Sequence, residues 1–206
     1  MEDKFKNIDL NNEKVKRIVN AAYEEFAKYG ENKASLNKIL RSSGISKGVF
    51  YHYFEDKQEL FNFLLYYSVS KAVIDLEQNF DWNNNDIIKR ICDVSKCRFG
   101  IIIEYPYLME FIEQFRDKVY NEAQKSNFKV FREKFYTFNI DYSKFKDQSK
   151  AKEAIHIIRW TYKGLGIEVL NKHGYVLDDA IIVELINLCD LYYQVLTSHF
   201  YKQVGN

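Results

Sequence analysis

The sequence predicts an all-α protein of about nine helices, arranged as a short N-terminal three-helix unit and a longer C-terminal helical domain. Three observations carry this. The 206 residues include one proline and eight glycines, too few for a chain of tight turns. Apolar residues recur at steps of three and four along most of the chain, and no stretch alternates as a half-buried strand would. With 47% hydrophobic and 29% charged residues, the composition is that of a globular chain long enough to bury its own core.

Val15, Ile18, Val19, Ala22 and Phe26 form one stripe of an amphipathic helix from about Asn12 to Tyr29, and Gly30 stands where a left-handed cap ends it. Ser35 is placed to cap a short second helix with Leu36, Ile39 and Leu40 inward, and Gly44 stops it. Ser46 caps a third, whose apolar face is Val49, Phe50 and Phe54. Asp56 and Glu59 read as an acidic capping box opening a fourth helix to about Phe80. A turn cluster follows at Asp81–Asp86, then a fifth helix to Glu104. Pro106 starts a sixth over 107–121, and a seventh covers 122–138. Residues 139–148 read as a loop. The eighth helix runs from Ser149 to Lys172, where His173-Gly174 ends it, and the ninth begins at Asp178. The ninth is apolar around more than half its circumference, so it is either central or covered by another chain.

The total charge is only +1, yet Lys33, Lys38, Arg41 and Lys47 lie in a stretch ending at Phe54 that holds no carboxylate. Taken alone, that is either a solvated face or a local electrostatic footprint for an anionic partner, and what surrounds it favours the second. The same stretch reads as helix, tight turn (Ser42-Ser43-Gly44-Ile45), helix, the proportions of a helix-turn-helix. In such a unit the second helix enters the major groove with its N-terminal residues on base edges. Ser46-Lys47-Gly48-Val49-Phe50-Tyr51-His52 suits that task. Lys47 reaches guanine acceptors or phosphate, Gly48 admits a close backbone approach, and Val49 methyls meet a thymine methyl. Tyr51 and His52 can donate to phosphate, and Lys57 adds its charge to the positive end of the next helix.

Arg17-Ile-Val-Asn-Ala-Ala-Tyr-Glu-Glu-Phe-Ala-Lys-Tyr-Gly30, then Ile39-Leu40, Ser43 to Phe54 and Lys57 to Leu60, resembles the DNA-binding domain of the TetR family of repressors over about residues 12–65. The resemblance implies a DNA-binding domain over 1–56 and a helical effector-binding and dimerisation domain over 57–206. It implies DNA contacts from Leu36, Asn37, Ser46, Lys47, Gly48, Val49, Tyr51, His52 and Lys57, a homodimer through the last two helices, and a near-palindromic double-stranded operator. Phe50 stands where family members often have Leu, and Tyr53 where His or Asn is common.

Most of the aromatic residues lie beyond residue 60. Aromatic stripes are core first, but helical-bundle pockets are also apolar with a few convergent polar groups. Phe99, Tyr105, Phe111, Phe115, Phe131, Phe135, Arg159, Trp160 and Tyr162 are the ligand-lining candidates for a small hydrophobic or aromatic effector, with Arg98, Arg116, Arg132 and Arg159 as anion partners. Gly164 and Gly166 interrupt the eighth helix, leaving room for a ligand or a close neighbour, or simply being tolerated.

No chemistry competes with this reading. The four histidines have no i, i+4 pair, Cys92 and Cys97 point about 140° apart on one helix, and neither a phosphate loop nor a nucleophile elbow is present. No metal, cofactor or enzymatic activity is expected. No uninterrupted apolar run approaches the ~20 residues that span a bilayer, and Met1–Leu10 lacks the apolar centre of an export signal. A cytoplasmic protein with reduced thiols and no membrane partner is expected. The low net charge keeps one alternative in view, a helical ligand-binding or interaction protein that does not read DNA.

Overall fold

The computed structural model describes residues 5, 8–9, 11–125, 128–174 and 177–203. These contain ten α-helices: α1 (Glu13–Lys33), α2 (Leu36–Ser43), α3 (Lys47–Tyr53), α4 (Lys57–Asn79), α5 (Ile87–Glu104), α6 (Leu108–Gln114), α7 (Arg116–Lys125), α8 (Phe128–Thr137), α9 (Ala151–His173) and α10 (Asp179–Phe200). No strand occurs among the described residues. The chain divides into two compact units, one of Met1–Asp75 with Tyr105–Phe131, the other of Leu76–Glu104 with Arg132–Asn206.

In the first unit, the stripe Val15, Ile18, Val19, Ala22 and Phe26 is wholly buried, as its spacing predicts. Asn12 caps α1 by accepting from Lys14 N–H at 2.9 Å. Gly30 takes a positive φ of 73°, where an L side chain would be strained. A last short turn follows it to Lys33. Asp56 opens α4 as predicted, its Oδ1 accepting from Glu59 N–H at 2.7 Å. The return bond of the box is displaced by one residue, because the Glu59 carboxylate accepts from Glu55 N–H.

The stretch 107–138, predicted as two helices, holds three. α6 stops at Phe115, whose backbone turns aside (φ −111°, ψ 29°) while its ring packs on Phe61 and Phe111 at 4.9 and 4.8 Å. No glycine or proline marks that break, so only the packing reveals it. Residues 126–127, between α7 and α8 and within the predicted seventh helix, lie outside the described residues.

The second unit is built on α5, against which α10 and α9 pack. The predicted loop 139–148 contains one single 3-10 turn and leads into a second over Gln148–Lys150, each started by an aspartate that accepts from the N–H two residues on, Asp141 from Ser143 and Asp147 from Ser149. The loop pairs with the end of α10 through an antiparallel bridge, Phe145 to Tyr201. The Arg90 side chain is fully buried, and among the described residues no carboxylate forms an ion pair with it, although the Asp81 charge acts on it. It donates instead to the carbonyls of Asn84, Trp82, Phe138 and Phe135, which fastens the turn cluster to the end of α8.

α10 is the one described helix long and apolar enough on average to cross a membrane. Two of its polar residues nonetheless reach α5 and its approach. Asp190 pairs with Lys96, and Tyr193 donates to Asp86 at 3.0 Å. Ile182, Leu185, Cys189 and Leu196 are buried, whereas Val183, Leu191 and Val195 stay exposed.

Candidate nucleic-acid interface and effector-side residues

The turn between α2 and α3 is locked by the backbone. Gly44 is left-handed (φ 64°, ψ 28°), its N–H reaches Arg41 O at 3.2 Å, and Ile45 N–H reaches Leu40 O at 3.1 Å. This pair of bonds is the Schellman closure, which satisfies carbonyls that the helix end leaves open. From α1, the Arg17 guanidinium donates through Nε (2.8 Å) and Nη2 to the Ser43 carbonyl. Ser46 then caps α3 by accepting from Val49 N–H at 3.4 Å.

α3 divides cleanly by face. Phe50 and, just past its end, Phe54 are buried, with rings 5.6 Å apart and Phe54 resting on Phe63 at 5.1 Å. Phe50 does the packing that leucine is expected to do at its position. Lys47, Gly48, Tyr51 and His52 are exposed, Val49 and Tyr53 half-buried. An added Cβ on Gly48 would meet nothing within 4 Å, so packing within the chain does not require glycine there. On α2, Asn37 is exposed and Leu36 half-buried. Lys33, Lys38, Arg41 and Lys47 are all exposed, and Lys38 lies 4.3 Å over the Tyr29 ring. None of the four has a carboxylate partner among the described residues, so their charge faces solvent unneutralised.

Two predicted roles are altered by long-range contacts. Ser35 occupies the N-cap position of α2, but its side chain makes no capping bond, and its own N–H donates to the buried Glu25 carboxylate at 2.9 Å. Lys57 does not project from the start of α4. Its ammonium donates to the carbonyls of Glu31, Asn32 and Ala34 at 2.9, 3.3 and 2.9 Å, closing the C-terminal end of α1. A lysine ammonium has three N–H donors, and these carbonyls engage all of them. Arg17, Glu25 and this function of Lys57 escape sequence reading because each partner lies 10 or more residues away.

The effector-side candidates fall in both units. In the first, Tyr105 and Phe111 are fully buried. The Tyr105 hydroxyl is 2.5 Å from that of Tyr67, and Phe111 stacks edge-on against Tyr23 at 5.0 Å. Phe131 is buried as well, and Phe115 is half-buried. Phe115 also borders an open, mostly polar cleft at the α6–α7 corner with Gln114, Arg116 and Lys118. Arg116 is engaged there by Glu113.

In the second unit, Phe99 and Phe135 are buried, and Phe135 packs on Phe80 at 5.4 Å. Tyr162 is buried and donates to the Cys189 carbonyl at 3.2 Å, where the Cys92 thiol also donates at 3.4 Å. Burial pushes both thiols up, Cys189 to about 12, which keeps them protonated at neutral pH. Trp160 is 70% exposed. Arg159 lies over the Tyr136 ring, 4.7 Å from its centre. A side chain on Gly164 would meet open space, and one on Gly166 would touch only Phe99 at 3.9 Å, so neither glycine is forced by packing within the chain. Among the described residues, no group of His, Cys, Asp and Glu is arranged to hold a metal ion.

Residues 18–64 match the family described as bacterial regulatory proteins, tetR family. None of the curated protein sequences matches the chain. Solved structures of similar fold include a TetR family transcriptional regulator from Chloroflexus aurantiacus J-10-FL, 16% identical, covering 98% of each chain at a TM-score of 0.53. The fatty acid degradation regulator FadR from Bacillus halodurans is 16% identical, with coverages of 93% of this chain and 98% of that one and a TM-score of 0.55. FadR from Bacillus subtilis, solved in complex with stearoyl-CoA, is 18% identical over 88% and 97% of the two chains at 0.51. At these identities the likeness shows the fold.

Proposed function

We infer, from a TetR-family DNA-binding domain over residues 18–64 set in a TetR-like fold, that this chain is a cytoplasmic, sequence-specific transcriptional repressor whose hold on its operator is altered by a small effector. The observation that carries the reading is the division of α3: Phe50 is buried, while Lys47, Gly48, Tyr51 and His52 present a carboxylate-free cationic face. Those four residues with Val49 contact the major groove. Leu36, Asn37 and Ser46 contribute at the neighbouring helix starts. The contribution of Lys57 is to hold α1 and α4 together beside the reading helix.

The working form is a homodimer through α9 and α10. Ile157, Trp160, Ile167, Val183, Leu191 and Val195 are exposed on these two helices, an apolar surface that a second copy would cover. Two copies place their reading helices ~34–36 Å apart, or a multiple of that, on a near-palindromic site. The effector acts by stabilising a dimer in which that spacing is wrong, a shift of population rather than a new contact with DNA. The B. subtilis FadR complex with stearoyl-CoA supports an effector with a large apolar part, for which Phe99, Phe135 and Tyr162 of the second unit are the lining.

Selection of bound duplexes from a random library at about 150 mM salt tests the reading, since nonspecific phosphate binding is weakened there. A two-fold symmetric site is expected. If no sequence is enriched, with or without cell extract, the chain is a ligand-binding protein that does not read DNA. Trp160→Glu with Val195→Glu is expected to yield a monomer by sedimentation, with operator affinity lost in parallel.

A further inference from the structure

Two arginines of the second unit share a face or a stacking contact with one tyrosine, and a third stands on the helix against which α9 packs. Arg132 precedes Tyr136 by one turn on α8, so the two side chains share a face. Arg159, on α9, stacks its guanidinium over the Tyr136 ring at 4.7 Å. Arg98, on α5, comes from the helix against which α9 packs. The charges of Arg159, Arg98 and Arg132 all act on the Tyr136 hydroxyl, and no acid is among the groups that do. The three arginines are exposed, Tyr136 is half-buried, and among the described residues none of the arginines has a carboxylate partner.

Cations on neighbouring elements of one unit repel one another, and among the described residues no carboxylate is paired with any of the three to relieve it. The fourth cation singled out by sequence, Arg116, has such relief from Glu113. Guanidinium is the group best suited to bidentate recognition of phosphate oxygens, and a tyrosine hydroxyl adds one further donor.

We propose that Arg98, Arg132, Arg159 and Tyr136 form an anion site that takes the phosphate or pyrophosphate group of the effector. The proposal rests on the effector reading above and deepens it: the effector is amphipathic, with a phosphorylated end held by these arginines and an apolar end among the aromatic residues of the same unit. Its binding test does not need the effector.

Inorganic pyrophosphate is titrated into the full-length protein by calorimetry at constant ionic strength. One site per chain is expected, weakened about tenfold or more by each of Arg98→Gln, Arg132→Gln and Arg159→Gln, and less by Tyr136→Phe. Because the arginines are exposed, the variants are expected to keep the helical circular dichroism and the operator affinity of the parent. Absence of binding to the parent protein overturns the proposal. So does binding that survives the triple arginine variant but disappears with Lys47→Ala and Arg41→Ala, which would place the anion on the DNA-reading surface. A third contrary result is a weaker dimer in the arginine variants without any pyrophosphate binding, which would make the arginines contacts to a second copy. Failure to select an operator, by contrast, defeats the repressor reading and leaves the pyrophosphate result standing.

Discussion

The Arg17 guanidinium stands over Gly44: a Cβ built on that glycine would come within 2.5 Å of Arg17 Nη2. Gly44 therefore serves twice, once for its left-handed φ of 64° and once for the room it leaves the arginine to reach Ser43 O. Gly44→Ala is expected to cost about 1–2 kcal/mol through the backbone conformation alone, with more from displacing Arg17. Arg17→Ala is expected to cost about 1–3 kcal/mol, the value of a charged hydrogen bond to a carbonyl left without it. Urea unfolding gives both numbers. Operator affinity should fall in both variants with an unchanged dependence on salt, since no phosphate contact is lost.

Gly48 separates DNA contact from folding. With nothing within 4 Å of an added Cβ, Gly48→Leu is expected to leave the melting temperature within a degree or two of the parent and to abolish operator binding. A large drop in melting temperature would mean that glycine is needed by the fold instead. Lys47→Ala should weaken binding and lower the salt slope by about 1, the mark of one phosphate neutralised.

Lys57 is the converse case. Because its ammonium closes the end of α1, Lys57→Ala is expected to lose about 1–3 kcal/mol of stability while the salt slope of DNA binding stays where it was. A slope lowered by about 1 with stability intact would return Lys57 to the phosphate backbone.

Alkali should loosen the second unit before neutral conditions do. Burial and the neighbouring Asp86, which accepts hydrogen bonds from Tyr193 and Tyr201, push both phenols up, Tyr193 to about 12. A group whose folded pKa lies above its unfolded value, ~10 for tyrosine, contributes stability that is complete below the unfolded value and disappears as pH rises through the folded one. The urea midpoint is therefore expected to be flat to about pH 9 and to fall between about 10 and 12. Tyr193→Phe should flatten that fall. An alkaline limb as steep as the parent's would place the ionisation elsewhere.

The helices themselves were legible because the forces that make them act over one turn. The buried stripe of α1, the left-handed Gly44, the Ser46 cap and the Asp178 cap on Ile181 N–H all follow from residues within about four positions of one another. The exposed face of α3 follows in the same way, from where Phe50 and Phe54 must go.

What periodicity could not supply are the contacts between residues far apart in the chain. Ser35 looks like a capping serine, yet Glu25 takes its N–H. Lys57 looks like a free cation at a helix start, yet three carbonyls of the preceding helix end capture it. Phe115 ends a helix with no breaker residue because two aromatic rings hold it aside. Arg90, an ordinary charged position in its helix pattern, is buried on four carbonyls. Local propensity depends on a residue and its neighbours within a turn, so composition and spacing were enough for the helices and for the exposed face of α3. Which charges stay free for a ligand depends on what folding brings beside them, and only the packed chain decided that Lys57 is held by three carbonyls while Arg159 stacks on Tyr136.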